Sequence, residues 1–536
     1  MSSLMKGTAI LTIGLFLSKI LGLVYVFPFY AIVGDENLAL YQYAYVPYNI
    51  MLSIAIAGLP IAISKMVSRY NALGDYAAGR KLIKSSMWLM IVTGVLSFLL
   101  MNLLATPIAK IVIADDEQVF SVEQVATVLR WVSFALLVVP AMSALRGFFQ
   151  GYGIYHPTSV SQLIEQILRI IVLLGGAFIV VVIMDGNPTT AVNFAVFAAF
   201  IGSLGSFYVL YKYWRKHKPE FDEKLAASVS SGPFEPAKEM KQLLIYAIPV
   251  IFVGLGNSLY QLVDMITFNR TMSSIGLAEV TDALFSMLNF LTHKVVMIPV
   301  MLATGFSMAL VPTITKMYTQ GDVVEVRNAL DKTYQVLLFI TIPAAVGITI
   351  LAPEIYHTLY SQSEQGANVL AHYAPVAILF ALFSVTAAIL QGIEYQKVII
   401  FSLLTGVLVK LVLNIPLIRL MEVDGAILAT ALGYLVTIVI NIVVINKVLN
   451  YHSMMVKRRI LLIVIITAVM AIAVLSAKWL MGLMWTVDSK WMAIVFSFVG
   501  VAVGGAVYGF ISFRIGLGQK LLGAKVTRIA AKFGFK

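Results

Sequence analysis

Apolar positions along this chain gather into runs much longer than one face of a helix needs. Broken only by short charged or turn-rich segments, the runs occupy 7–33, 43–63, 85–107, 127–150, 158–183, 191–211 and 243–267. They continue at 284–312, 333–352, 369–392, 398–418, 425–446, 460–482 and 491–513. A helix of about 20 residues crosses the ~30 Å hydrocarbon core of a bilayer, so each run predicts one spanning helix and the set predicts fourteen. The first run is too long for a signal-peptide core and contains Lys19, with Lys6 ahead of it. It is therefore expected to remain as a true first span.

Composition narrows the class further. Of 536 residues, 60% are hydrophobic and 12% charged, and the mean hydropathy is +0.92. A soluble domain is about half apolar and about a quarter charged. Fourteen spans leave no length for a sizeable aqueous catalytic domain. With no cysteine in the chain, disulfides, thiolate metal sites, iron–sulfur clusters and cysteine nucleophiles are excluded. No cofactor is expected.

The net charge of +12 acquires meaning once it is placed on the spans. With the N-terminus in the cytoplasm, 27 of the 38 Lys/Arg lie in inner segments and four (Lys110, Arg270, Arg419 and Lys490) in outer ones. The positive-inside rule then puts both termini in the cytoplasm. Acidic residues such as Asp115, Asp116 and Glu117 favour the outer loops, but they orient a chain weakly. The basic surplus is a topology signal, and no nucleic-acid partner is expected.

The segment from Lys212 to Gln242 is charged and contains Ser230-Ser231-Gly232-Pro233, so it reads as a linker after the sixth span. On either side of it the sequence repeats weakly. Ser64-Lys65-Met66, Gly74-Asp75 and Arg80 match Thr315-Lys316-Met317, Gly321-Asp322 and Arg327. Phe149-Gln150-Gly151 matches Leu390-Gln391-Gly392, and nineteen residues beyond those glutamines stand Arg169 and Lys410. The predicted fold is thus an all-α integral membrane protein of two pseudo-symmetric six-helix lobes plus two extra C-terminal helices. The divisions are an N-lobe at 1–218, a linker at 219–242, a C-lobe at 243–450, spans 13 and 14 at 451–513, and a basic tail at 514–536. In that tail Leu522, Val526, Ile529 and Phe533 share one helical face, with Lys525, Arg528 and Lys532 towards the other, as in a helix lying on the inner leaflet. Six spans is an even number, so both lobes enter from the same side and are related by an axis along the bilayer normal, as in an alternating-access transporter.

A charge at the centre of a spanning helix costs about 2.5–3.5 kcal/mol on insertion scales and needs a partner, a wet cavity or a snorkelling route. Lys19, Glu165, Arg169, Asp264, Lys294 with His293, and Lys410 occupy such places. Glu165 and Arg169, four apart on one face, are expected to pair. Lys19, Asp264 and Lys294 lie on the first helices of each lobe, where they would line a net-positive cleft suited to an anion. Asp264 alternatively pairs with one of the lysines to hold the closed state. Arg270 is a gate or ion-coupling candidate together with Asp264, or else an interface anchor. His293 reads as a hydrogen-bonded packing residue, since no second ligand stands at metal spacing. Arg146 precedes the glycine-rich Gly147 to Gly153 segment, a cytoplasmic turn able to contact phosphate but lacking the strand–loop–helix context of a nucleotide cradle. Pro28, Pro47, Pro60, Pro299, Pro312 and Pro416 allow kinks.

Phe16-Leu17-Ser18-Lys19-Ile20-Leu21-Gly22, the segment from Arg146 to Gly153, and the run from Lys294 through Pro299 to Pro312-Thr313-Ile314-Thr315-Lys316 resemble the MurJ-type lipid II flippases. These belong to the multidrug/oligosaccharidyl-lipid/polysaccharide (MOP) exporter superfamily, and the resemblance is to the YtgP/SpoVB branch of Gram-positive bacteria. It implies a V-shaped two-lobe fold in a bacterial plasma membrane. It also implies a cationic cavity that takes the pyrophosphate head of an undecaprenyl-linked precursor, and a groove on spans 13 and 14 for the polyprenyl tail. Lys19 and Lys294 fall on the family's basic positions in spans 1 and 8, the latter five residues before Pro299. Tyr25 stands where a second basic residue is expected, and Leu52 and Ala57 stand near the expected arginine and acid of span 2.

The leading expectation is a flippase for lipid II, with membrane lipids as partners and a coupling ion or the membrane potential biasing the cycle. Export of another polyprenyl-linked oligosaccharide, or cation-coupled multidrug efflux, are the alternatives within the transporter class. A membrane-embedded glycosyltransferase or ligase would need a cluster of acids, bases or metal ligands that the short outer loops do not supply, and a scaffold or channel would leave the buried lysines at the lobe fronts unexplained.

Overall fold

The structure is a computed structural model that describes residues 14, 17–56, 58–113, 118–229, 234–451 and 454–522. Lys6, Ala57, Asp115, Asp116, Glu117, the residues Ser230 to Pro233 and the tail beyond Leu522 lie outside the described residues. Among those described, the chain is helical and forms no strand. Eleven stretches among the described residues are long and apolar enough to cross a membrane. Two of them fold back on themselves. Leu17–Ala72 bends at Gly34, with φ 79°, and restarts after Gly58. Gln396–Leu449 would extend ~81 Å as one straight helix, well over twice the hydrocarbon thickness, and it turns at Glu422, with φ 51°. A side chain at Gly425 would stand 2.1 Å from the Leu417 carbonyl, so this reversal closes only around a glycine. With the helix Pro236–Ser274 over the run at 243–267, the set is consistent with fourteen spans.

The sequence repeat has a structural counterpart at its matched glycines and aspartates. Gly74 and Gly321 both take positive φ, 74° and 76°, and each hands the chain to an aspartate that caps the next helix. Asp75 accepts from the Ala78 N–H and Asp322 from the Glu325 N–H, starting the helices Tyr76–Val112 and Val323–Ile350. The matched glycines do the same work in both halves. An added Cβ at Gly151 would meet Val67 at 2.6 Å, and one at Gly392 would meet Ile314 at 2.8 Å.

The linker is shorter than the charge pattern suggests. The helix Pro188–Ala226 runs well past its apolar portion, and the next begins at Pro236, so the break is confined to 227–235. Charged residues prolong the helix in water through pairs one turn apart, such as Lys224 with Glu220 at 2.7 Å. Ser228 and Val229 then bond back to the Gly74 turn.

The chain divides into two compact units, residues 1–286 and 287–536. The helices Pro236–Ser274 and Ala278–Ser286 belong to the first because they pack on Val26–Ile56 and Tyr76–Val112. In the second unit the helices Met454–Gly482 and Lys490–Arg514 pack on each other, and Ile463, Met470 and Val474 bury against Phe339 and Leu351. The Tyr508 hydroxyl donates to the Phe339 carbonyl at 2.8 Å. Lys478 pairs with buried Glu354 at 2.8 Å, and Lys490 donates to the Tyr360 carbonyl at 3.3 Å.

Candidate functional site

The helix that carries Lys19 lies against His156–Phe178. A Cβ on Gly14 would stand 2.9 Å from that of Ser159, and one on Gly22 would lie 3.3 Å from the Gln166 amide nitrogen. Small residues here let two backbones approach closely. Lys19 is half-buried.

Arg169, two to three turns along the opposing helix, donates to the Tyr41 hydroxyl at 3.1 Å and to that of Tyr45. Its guanidinium stands 5.0 Å from the Tyr45 ring, which stacks on Tyr41 at 4.4 Å. Tyr41, Tyr45 and Tyr48 recur at helical spacing along Val26–Ile56, forming an aromatic face for the cation. The Tyr41 hydroxyl also lies 3.1 Å from that of Tyr25. At the position where the resemblance calls for a second basic residue, a tyrosine thus connects to a cation supplied by another helix.

The expected Glu165–Arg169 pair does not form. Glu165 instead receives the Arg146 guanidinium at 2.7 Å, and Arg146 also donates to Ser161 at 3.0 Å and Ser206 at 2.8 Å. A same-helix pair is worth only about 0.2–0.5 kcal/mol, whereas an arginine enclosed by three acceptors on two helices recovers its desolvation. Arg146 is therefore a crosslink between helices. The turn that follows it comes later, at Tyr152 to Tyr155. The glycines beside Arg146 have a packing cause: a Cβ at Gly147 would stand 2.6 Å from the Pro60 carbonyl.

At the far end of the first unit a second polar network ties four helices and a loop together. Asn269 donates to the Tyr43 hydroxyl at 2.7 Å and to the Val112 carbonyl at 3.1 Å. Tyr43 donates to Asp282, whose other oxygen accepts from the Val119 N–H at 3.1 Å. Arg270 donates to the carbonyls of Ile111 and Lys110 at 3.2 and 3.3 Å, closing the carbonyl end of Tyr76–Val112. Asp264 is buried about one and a half turns deeper on the Arg270 helix. Tyr43 and Asp282 carry no motif that marks them in sequence, and their pairing follows only from the packing of distant segments.

The second unit opens on a π-helical turn, Met287–Thr292, which follows the α-helix Ala278–Ser286 and immediately precedes His293 and Lys294. Such turns are rare and cluster at functional sites. His293 Nδ1 lies 3.0 Å from the Tyr373 hydroxyl, and the Lys294 ammonium stands 5.4 Å from the Phe290 ring. Lys410, 1% exposed, donates to Thr430 across the fold-back of its own helix. The helix that presents Lys294 also walls an apolar groove of about 530 Å³ through Ile298 and Pro299, opposite Pro343, Gly347, Gly500 and Gly504. Ile298 is four residues beyond Lys294, so a half-buried cation and an apolar groove share one helix face.

The chain matches the family described as "Polysaccharide biosynthesis protein" over residues 4–318 and the MatE family over 249–416. It is 43% identical over 534 residues, 98% of each chain, to "Lipid II flippase MurJ" of Bacillus subtilis (strain 168). It is 24% identical over 455 residues to "Stage V sporulation protein B" of the same organism, covering 83% of this chain and 84% of the relative. Among solved structures, "Lipid II flippase MurJ, inward closed conformation" superposes with a TM-score of 0.67 at 15% identity, covering 94% of this chain and 98% of that one.

Proposed function

This chain belongs to the polysaccharide biosynthesis protein family, within the MOP superfamily, and from that premise we propose that it is a flippase carrying undecaprenyl-linked lipid II from the inner to the outer leaflet by alternating access. The observation that carries this reading is its end-to-end kinship with a protein named for that activity. Translocation of this kind makes and breaks no covalent bond, and no catalytic residue is assigned.

In this reading the two six-helix lobes rock about the substrate, with both termini in the cytoplasm, an orientation that the Lys/Arg distribution supports. Lys19 and Lys294 hold the pyrophosphate, and the tyrosine-framed Arg169 adds a third positive group in the N-lobe. The apolar groove of the second unit, continuous in register with Lys294, takes the polyprenyl chain. It is nearly free of polar lining, as a hydrocarbon occupant requires. Asn269, Arg270, Tyr43 and Asp282 form the outer latch that must part when the cavity opens outward. Asp264, lying deeper on the latch helix, remains an ion-coupling candidate. A charge carried through the membrane field gains about 2.3 kcal/mol per 100 mV, enough to bias the rocking equilibrium.

Reconstituted vesicles loaded with lipid II test the assignment. Lys294→Ala is expected to slow flipping at least about tenfold, the consequence of losing ~1.4 kcal/mol of head-group binding, and Lys19→Ala to act in the same direction. Parental rates in both variants would remove these residues from the site. Depletion in the native host is expected to leave lipid II on the inner leaflet. Accumulation of a teichoic or capsular intermediate with normal lipid II would replace the substrate.

A further inference from the structure

A second groove, of about 590 Å³, lies in the first unit, walled by the helices Tyr76–Val112, Ala135–Gly151 and Pro188–Ala226. On one wall Arg80, Lys84, Trp88 and Ile91 recur at spacings of four, four and three, forming a single stripe. On the facing wall Phe207, Tyr211 and Trp214 follow the same rule. The groove is graded from end to end. Its basic end lies beside the Gly74 turn, where the Arg80 guanidinium stands 4.6 Å from the Trp214 ring and Lys84 is exposed. The nearest acid to Arg80, Asp222, is 3.6 Å away and half-exposed, a loose contact that leaves guanidinium edges for another acceptor. Next comes an aromatic collar in which Trp88 is 64% exposed and Tyr211 48%. The far end is closed by Ile91, Ala141 and Leu145.

From Arg80 to Ile91 the helix rises ~16 Å, close to the ~15 Å depth of one bilayer leaflet. A basic mouth, an interfacial aromatic collar and an apolar trough of leaflet depth repeat the polarity gradient of an anionic phospholipid. We propose that this groove is a binding site for one anionic glycerophospholipid of the leaflet on the linker side. Its phosphate lies between Arg80 and Lys84, its glycerol backbone at the collar of Trp88, Tyr211 and Trp214, and an acyl chain along Ile91 and Leu145. The two cations select the anionic head, and the trough accepts any ordinary acyl chain. Because Arg80 lies in the second turn of the helix that Asp75 caps, and Ser228 of the linker accepts from the Ala77 N–H in its first turn, a bound lipid also braces the junction of the loop, the linker and the membrane surface.

The test uses the purified full chain in detergent, with native mass spectrometry against phosphatidylglycerol and phosphatidylcholine of matched acyl chains. The parent is expected to retain phosphatidylglycerol in preference. Each of Arg80→Gln and Lys84→Gln is expected to cut that preference about fivefold, the effect of one basic residue at an anionic surface. The charge-preserving double variant Arg80→Lys with Lys84→Arg keeps the preference, and Trp88→Ala weakens retention of both lipids. Equal retention of the two lipids by the parent overturns the proposal, as does an unchanged preference in the glutamine variants. Stoichiometric displacement of phosphatidylglycerol by undecaprenyl pyrophosphate also overturns it, because the groove would then belong to the transported substrate. No lipid II is present, so a failed flipping assay and a failed binding assay are separate results.

Discussion

Glu165 has an arginine one turn along its own helix and another on a neighbouring helix, and it takes the neighbour. The choice decides what each cation is for. Arg146 is neutralised inside a helix crossing, while Arg169 is left among hydroxyls and ring faces, with its buried Nε lacking an acceptor. Double-mutant cycles distinguish this arrangement from the one that spacing predicts. Arg146→Gln and Glu165→Gln should couple by about 1–3 kcal/mol in thermal unfolding, and Glu165→Gln and Arg169→Gln should add within about 0.5 kcal/mol. Coupling confined to 165 and 169 would reverse the assignment. The sequence placed Glu165 and Arg169 inside the bilayer, where cost is a property of a single position, but read Arg146 as part of a cytoplasmic turn. It could not pair them, because pairing depends on which helices cross.

At the scale of elements, the anchoring of the last two spans is a sharp case. Glu354 is 3% exposed, with one carboxylate oxygen held by Lys478 and the other lacking a hydrogen-bond partner. Lys478→Met is expected to cost about 3–5 kcal/mol by stranding the carboxylate, and adding Glu354→Gln should restore most of it. Melting in detergent reads both. The latch makes a different kind of prediction. Parting Tyr43 from Asp282 should open the outer end without unfolding the helices, and the cysteine-free chain allows a single thiol to report it. In a Thr281→Cys background, where the thiol replaces a fully buried side chain, Tyr43→Phe or Asp282→Asn should speed labelling by an impermeant maleimide several-fold. Slow labelling in both would mean that this network does not hold the outer end shut. Helix ends were less legible than helix centres. The charges after Lys212 read as a break, yet they extend the helix to Ala226 because paired charges are good helix formers once outside the bilayer.

For the whole molecule, hydropathy alone foretold an all-helical membrane chain, with described helices consistent with fourteen spans, because a bilayer admits only elements that satisfy their own backbone. The repeat was legible for a similar reason. Gly74 and Gly321 need positive φ, and Gly151 and Gly392 need contact distance, so both pairs leave identities that survive where bulk side chains do not. The π turn was invisible, since its residues, Met287 to Thr292, are as apolar as any other part of the span. It falls where the chain passes from one compact unit to the other.

A π turn is an α-helix carrying one residue too many, with the surplus absorbed locally. The eighth span is therefore tolerant of a change in length at one place. Removing a single residue from 287–292 should restore an ordinary α-turn and leave Lys294 on its present face. Removing Met297 should swing Ile298 and Pro299 by about 100° and part the cation from the groove. Vesicle assays on the two deletions should find transport in the first and none in the second. If so, homologous chains of differing length in this span can be aligned by placing the gap at the π turn.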